Sequence, residues 1–147
     1  MNSLLKDTKI VRVANAAAAA QTDVTTSVVD MAGYDSVMFV AALGDVTATS
    51  VLTLTVKENT ANSTSSPTPA SVTGGSCTYT AAASDADNKL MAVDVVRPAY
   101  RYVFAVLSRG TANAVVDGVF AILYRSRSVP VTADSTVLAS ALSTPEN

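Results

Sequence analysis

The sequence contains no histidine, no tryptophan and a single cysteine, Cys77, and only 15% of its residues are charged. Without histidine, the chain has no Ser-His-Asp or Cys-His catalytic arrangement. Zinc sites use several cysteine or histidine ligands, so Cys77 alone predicts no zinc centre. The pair Gly74-Gly75 lacks the Lys-Ser/Thr that follows in a phosphate-binding P-loop. We therefore predict no enzyme, no cofactor and no metal.

Catalysis by paired carboxylates stays formally open, because aspartates are scattered along the chain. A glycosidase needs two carboxylates about 5–10 Å apart across a cleft. A small domain with one glutamate in its folded body, Glu58, is a poor candidate for that arrangement. Cys77 has no base partner, so we expect a small buried residue rather than a nucleophile.

The lack of excess basic residues and of long apolar runs argues against several partners and locations. A formal net charge of −2 and a sequence pI of about 4.8 argue against nucleic-acid binding, which relies on an excess of basic residues. No run approaches the ~20 apolar residues of a membrane span. The cations Lys6, Lys9 and Arg12 follow or interrupt the first apolar residues, which is the wrong order for a secretion signal. We expect the chain to be made in a cytoplasm and used there or released by lysis.

What the sequence has in quantity is short alternating runs rich in valine and threonine, which favour β-strands. Turn signals between them recur every ~8–14 residues, a spacing typical of a sandwich or barrel. We predict an all-β fold, an antiparallel β-sandwich that is jelly-roll-like and has about eight strands. The predicted strands are residues 9–14, 25–30, 36–43, 51–58, 76–81, 89–96, 100–108 and 114–124.

Between and around these strands we predict irregular segments. Residues 16–20 form a linker or a single turn, and residues 59–75 form a long loop rich in Ser, Thr, Asn, Pro and Gly. In the strand at 100–108 we place the face with the aromatic residues in the core. The predicted division is an N-terminal arm with the first strand (1–21), a sandwich domain (22–126) and a C-terminal arm (127–147).

Two predicted strands, 36–43 and 114–124, carry apolar residues on both faces. A sandwich made of two sheets should leave one face of each strand polar. The second apolar face must therefore be covered by an arm, a loop or another copy of the chain, and symmetric self-association is the common solution. Val115 and Val119 are the candidate interface residues of the last strand.

Basic residues concentrate in the last third of the chain, at Arg97, Arg101, Arg109, Arg125 and Arg127. Solvated strand ends are one interpretation. Another is an edge that pairs with acidic groups of a neighbouring subunit, because the planar guanidinium binds carboxylates bidentately. We take these five arginines as candidate interface residues.

Three runs carry a family resemblance over most of residues 8–126: KIVRVANAAAAAQTD, VVDMAGYDSVMFVAALG and RPAYRYVFAVLSRGTANAVVDGVFAILY. They resemble small virion proteins that tailed phages encode beside the major capsid protein. The third run has Ser108-Arg109 at a position where these phage proteins have Val-Arg. The resemblance is lost in the C-terminal tail, which follows residue 126.

The resemblance implies a capsid decoration, or cement, protein on the outer surface of the virion, bound to the major capsid protein. It implies a β-sandwich or jelly-roll scaffold and a homotrimer at the threefold axes of the head. No catalytic residues come with this family. Two alternatives stay open: another virion component such as a tail or fibre base, and a host-surface or carbohydrate-binding sandwich module.

Overall fold

Ten strands and one short helix lie within residues 3–144, the part of the chain that this computed structural model describes. The strands alternate between residues that face inward and residues that face outward. Their bounds, in chain order, are α1 Leu4–Asp7, β1 Lys9–Ala14, β2 Ala17–Ala20, β3 Val24–Thr25, β4 Val29–Asp30, β5 Tyr34–Val46, β6 Val51–Asn59, β7 Ala70–Thr80, β8 Leu90–Val96, β9 Tyr102–Gly110 and β10 Ala114–Ser126.

The strands form two antiparallel sheets of five strands each. The front sheet has the order β1-β10-β5-β8, with β2 also paired to β10. The back sheet has the order β3-β9-β6-β7, with β4 also paired to β9. The pairs are nested along the chain, since β1 pairs with β10, β3 and β4 with β9, β5 with β8, and β6 with β7. This nesting is that of a jelly roll, so the predicted jelly-roll-like sandwich is confirmed.

The core lies between the two sheets and is built by period-two alternation. In β5 the inward side chains include Val37, Phe39 and Ala41, all fully buried. In β6 of the opposite sheet they include Leu52 and Leu54, also fully buried. Burial of aliphatic side chains of this size stabilises a fold by about 1.5–3 kcal/mol each. Interlocking small aliphatic residues therefore hold the sheets together without a disulfide.

The inward face of β9 is the opposite of the predicted one. Val103, Ala105 and Leu107 belong to the core cluster, whereas Tyr102 is only half-buried on the other face. Phe104 shares the outward face and is nevertheless 1% exposed. Both alternating sets of this strand are apolar, so the period alone does not determine which set packs against the front sheet.

Residues 16–20 do not form the predicted linker or turn. Within them, β2 pairs with β10, with Ala20 opposite Ala114 and Ala17 opposite Val116. The high helix propensity of alanine is overridden because an unpaired edge of β10 is available for hydrogen bonding. With β1 and β2 in the front sheet, the sandwich begins at residue 9 rather than at residue 22.

Three other predicted boundaries shift. The predicted strand at residues 25–30 is divided into β3 and β4, which pair with the same neighbour, β9. The strand predicted at residues 36–43 runs on to Val46, through a predicted turn. The predicted loop 59–75 is shorter, because β7 begins at Ala70. These polar and glycine-containing ends lack an alternating hydrophobic pattern, so the sequence does not predict them as strand. They are strand because their backbones pair with a neighbouring strand.

Gly118 marks the close backbone approach that its position within a strand predicts. The pairing of β10 with β5 shifts register between Val116 and Gly118, which is a bulge or irregularity. A Cβ atom at Gly118 would lie 3.0 Å from Nη2 of Arg12 and 3.3 Å from the carbonyl oxygen of Ala14. A side chain at this position would therefore push against β1.

The C-terminal segment lies against the N-terminal strand. Val131 donates its N–H to the carbonyl oxygen of Lys6 at 2.8 Å. Farther along, Thr136 Oγ1 accepts the N–H of Arg12 at 3.0 Å. The described part of the predicted C-terminal arm therefore covers the edge of the front sheet, which would otherwise expose unpaired backbone groups. Residues 1–2 and 145–147 of the two predicted arms lie outside the described residues.

Candidate interaction surface

One end of the sandwich holds an open cleft of about 540 Å³ between the turn that precedes β5 and the loop that joins β8 to β9. Three of the five candidate arginines, Arg97, Arg101 and Arg127, line it. The other lining residues are 31–35 and 98–100, which include Tyr34 and Tyr100. We call this feature the arginine cleft. Distant parts of the sequence meet there because the jelly roll brings the ends of β4, β8 and β10 together.

Backbone hydrogen bonds fix the walls of the arginine cleft. The N–H of Arg97 donates to the carbonyl oxygen of Asp35 at 2.8 Å, and the N–H of Met31 donates to that of Arg101 at 2.9 Å. The N–H of Arg127 bonds to the turn before β5 at 2.9 Å. All three arginines are therefore anchored by their own backbones to the opposite wall.

A buried carboxylate supports the same loop from within the protein. Glu58, at the end of β6, is 8% exposed. Its Oε2 accepts the N–H of Ala99 at 2.8 Å and that of Tyr100 at 3.3 Å. A carboxylate that accepts backbone N–H bonds forms a charge-assisted interaction. This interaction ties the loop that lines the cleft to the end of β6.

Two of the arginines are already paired with aspartates. Arg101 binds Asp30 through two parallel hydrogen bonds, Nε to Oδ1 at 2.7 Å and Nη2 to Oδ2 at 2.8 Å. Chiefly through its hydrogen bond, Arg101 holds the pKa of Asp30 below its usual value, although partial desolvation opposes the shift. Arg127 lies 3.2 Å from Asp35 in a more exposed contact.

Arg97 differs from these two residues. It is exposed, its backbone lies in the left-handed region with φ of 55°, and it forms no ion pair within residues 3–144. A left-handed backbone is uncommon for a residue with a long side chain. The hydrogen bond from its N–H to Asp35 stabilises that conformation. Within the described residues, Arg97 is thus the cation of the cleft without a carboxylate partner.

Arg109 is not on a surface, contrary to its selection as an interface residue. It is 3% exposed and lies between the two sheets. Its guanidinium donates to the carbonyl oxygens of Thr22 at 2.7 Å, Ala18 at 2.8 Å and Ala114 at 2.7 Å. A fourth bond joins it to Thr22 Oγ1 at 3.1 Å. The guanidinium is buried and hydrogen-bonded to groups within the protein, so it is not available to a partner.

The remaining candidates fall in three environments. Val119 is fully buried in the core, so it contributes to folding and not to an outer surface. Val115 is half-buried on the outward side of β10, in space that Gly44 leaves open. Arg125 is exposed near the end of β10, outside the lining of the arginine cleft. Only Val115 and Arg125 of these three can contact another molecule, and whether they do stays a prediction.

The outward side of the front sheet carries many apolar side chains, and we call this surface the front face. It also holds two charged residues, Arg12, which lies 5.8 Å from the centre of the Phe120 ring, and Asp94, which lies opposite Met38. Phe120 of β10 lies opposite Val40 of β5, and Ile122 lies opposite both Met38 and Ile10. These five side chains are half-buried or exposed. Leu90 and Val96 on β8 extend the surface and are 67% and 53% exposed. The prediction that these strands are apolar on both faces is met, and within residues 3–144 no strand or helix covers the outer one.

A polar pair lies within the front face, on the outward sides of β8 and β10. The hydroxyl of Tyr124 donates to Asp94, with oxygen–oxygen distances of 2.7 and 2.8 Å to the two carboxylate oxygens. Burial, followed by the hydrogen bond to Asp94, raises the pKa of Tyr124. This pair satisfies two polar groups among apolar neighbours such as Met38, which lies opposite Asp94.

Within the described residues, no group of three or more Cys, Asp or Glu side chains is placed to hold a metal ion. No helix in residues 3–144 has the length and apolar content to cross a membrane. Charges in the arginine cleft are arranged for hydrogen bonding and ion pairing.

Sequence reasoning selected the arginines but not their partners. Asp30, Asp35 and Glu58 are separated from the arginines by long stretches of chain, and nothing in their immediate neighbours indicates a pairing. The one local signal in the sequence is Pro98, which cannot donate a ladder hydrogen bond and therefore favours a break in the strand after Arg97.

Neither a scan against models of protein families nor a search of curated proteins finds a match to this chain. The resemblance to virion proteins of tailed phages therefore stays a prediction.

Proposed function

We propose that this chain is a non-enzymatic structural protein of a tailed phage that decorates the capsid. In this proposal it is made in the host cytoplasm, joins the outer surface of the virion and stabilises it at junctions between subunits of the major capsid protein. The front face is the observation that carries the proposal. A sandwich with an uncovered apolar sheet surface is stabilised by assembly, and a jelly roll is a fold that viral capsid domains share with other classes.

Self-association through the front face supplies the proposed homotrimer. Covering half-exposed side chains such as Ile122 and Val40 removes apolar area from water, at about 25 cal/mol for each Å². A trimer then presents three copies of every other surface, including the arginine cleft. Contacts that are weak singly become strong when three of them engage together. This is the physical requirement for clamping a junction between capsid subunits.

The test combines the full-length chain with shells assembled from the major capsid protein encoded beside it. We expect light scattering to give a mass near three times 15.0 kDa for the free chain. We expect saturable sedimentation with the shells, and shells that resist heating better once decorated. Electron microscopy should place added density on the outside, at threefold positions.

Three outcomes would contradict the proposal. Shells that neither retain the chain nor gain thermal resistance would exclude a decorating role. Binding to isolated tails or fibre bases in place of shells would favour another virion component. Saturable binding to host glycans by a monomeric chain would favour a recognition module.

A further inference from the structure

We propose that the arginine cleft is a binding site for a carboxylate side chain of a partner protein, with Arg97 as the residue that pairs with it. This inference deepens the proposed function and rests on it where the partner is taken to be the capsid protein. The site itself follows from charge, shape and rigidity.

The charge balance favours a singly charged ligand group. Among the solvent-accessible side chains, Arg97, Arg101 and Arg127 bring three positive charges, and Asp30 and Asp35 bring two negative charges, so their sum is +1. Glu58 is not counted, because its buried carboxylate is bound by the N–H groups of Ala99 and Tyr100. Polyanions such as nucleic acid are bound by an excess of cations that neutralise several phosphates. The two aspartates would repel such a ligand. A single carboxylate matches the one charge that is left.

Geometry assigns that charge to Arg97. Asp30 occupies the Nε and Nη2 donors of Arg101, and Asp35 contacts Nη2 of Arg127. Arg97 forms no ion pair within the described residues, and its side chain is exposed at the rim of the cleft. Its planar guanidinium can bind a carboxylate through two parallel hydrogen bonds, as Arg101 does with Asp30.

The cleft is rigid before any partner arrives. Arg97 is tied to Asp35 through its backbone, and Glu58 holds the N–H groups of Ala99 and Tyr100. Binding to a fixed site loses less conformational entropy than binding to a mobile loop. Tyr100, which is 43% exposed, adds an aromatic surface for the aliphatic part of an acidic side chain. A volume of about 540 Å³ admits one or two side chains of a peptide.

The experiment is a nuclear magnetic resonance titration of the full-length chain with a blocked peptide that contains glutamates, beside a peptide with glutamine at the same positions. Inorganic phosphate is the third ligand. We expect the glutamate peptide to shift the amide signals of residues 97–101 saturably. The glutamine peptide should give no saturable shift, and phosphate should bind more weakly than the glutamate peptide.

Two variants assign the site. Arg97→Gln keeps a polar side chain but removes the guanidinium and its charge, and we expect about tenfold weaker peptide binding, equivalent to 1.4 kcal/mol. Arg125→Gln is the matched control, because Arg125 is an exposed arginine outside the cleft lining, and it should bind like the unaltered chain. Equal affinities of the Arg97→Gln variant and the unaltered chain would overturn the proposal, as would saturable binding of the glutamine peptide or tighter binding of phosphate.

The peptide titration needs no capsid, so it separates the two proposals. If the unaltered chain binds the glutamate peptide but not the shells, the carboxylate site stands and the decorating role fails. If the chain decorates shells but Arg97→Gln binds them as tightly as the unaltered chain does, the cleft is not the capsid contact. Weaker shell binding by Arg97→Gln with an unchanged oligomeric state supports both proposals.

Discussion

The outer surfaces of the two sheets are built on the same architecture and have different chemistry. On the back sheet, Thr53 bonds to Thr78 at 3.0 Å between side-chain oxygens, and Thr55 bonds to Ser76 at 3.1 Å. The corresponding cross-strand positions of the front sheet hold pairs such as Phe120 with Val40. Hydroxyl pairs are compatible with water, whereas apolar pairs gain free energy when a second surface covers them.

At these cross-strand positions the back sheet is polar and the front sheet is apolar. Both inner faces are aliphatic, so the outer residues do not change which sheet packs on which. A threonine keeps the β-branched shape of valine and adds a hydroxyl, which makes the back sheet wettable at little loss of strand propensity. We expect association through the front face and solvent at the back.

The largest expected effect on stability concerns Arg109, which lies between the two sheets. Its hydrogen bonds join the sheets, so both sheets depend on it. Arg109→Met should lower the free energy of unfolding by about 3 kcal/mol, because buried carbonyl groups lose their donor at about 1–3 kcal/mol each. Urea unfolding followed by circular dichroism measures this change. Arg125→Met, on an exposed arginine, should change stability by less than about 0.5 kcal/mol. Similar midpoints for the two variants would show that the buried guanidinium adds no net stability.

An exchange of surface chemistry tests the comparison directly. We expect the double variant Val40→Thr/Ile122→Thr to weaken self-association by about thirtyfold, since each of the two apolar side chains removed from the interface forfeits about 1 kcal/mol. The reciprocal variant Thr53→Val/Thr55→Val should leave the original association intact and add a second, concentration-dependent association through the back sheet. Light scattering over a range of concentrations measures both effects.

Stability must be measured alongside association in these variants. Both front positions are half-buried and outward-facing, so the core is not altered. If the front variant keeps its thermal midpoint and its oligomeric state, association does not use the front face. If the back variant alone loses its original association, the assignment of the two surfaces is reversed.

The smallest expected effect concerns the exposed charges of the back sheet. The pKa of Asp30 is lowered in the folded protein by Arg101, so this pair stabilises the fold above the usual aspartate pKa near 3.8. That contribution is lost as the pH falls through the lower, folded-state pKa. We expect Asp30→Asn to flatten the decline of stability between about pH 5 and pH 2. Urea midpoints at several pH values measure it, and an unchanged slope would contradict the assignment.

The acid response also distinguishes the two surfaces. Association through the front face depends on apolar area and should change little over this pH range. The pairing of Arg101 with Asp30 is half-exposed, so added salt should weaken it. Salt that dissociates the oligomer would point to charges rather than the front face.

Much of the sandwich was predictable because local pattern and final structure agree. Within the predicted strand 51–58, apolar and polar residues alternate over residues 52–57, and β6 follows the predicted strand almost to the residue. The double apolar character of β5 and β10 was also readable, since it needs no knowledge of neighbours. For β9 the same reasoning chose the wrong face, because both of its alternating sets are apolar.

The candidate site was predictable only as a list of residue types. Five arginines stood out by position, and the structure places three in one cleft and one, Arg109, inside the protein. Whether an arginine is solvated, paired or buried depends on carboxylates and carbonyl groups that lie far away in sequence. Asp30, for example, is 71 residues from Arg101.

The sequence by itself determined the class of fold and the existence of a surplus apolar surface, because alternation at period two is a local property of each strand. The tertiary structure decided which side of β9 faces inward, that residues 17–20 join a sheet, and that Arg97 stands beside Arg101 and Arg127. These outcomes depend on groups brought together by the nested pairing of distant strands. Hydrogen bonds and charges act over a few ångströms of space, whatever the separation along the chain.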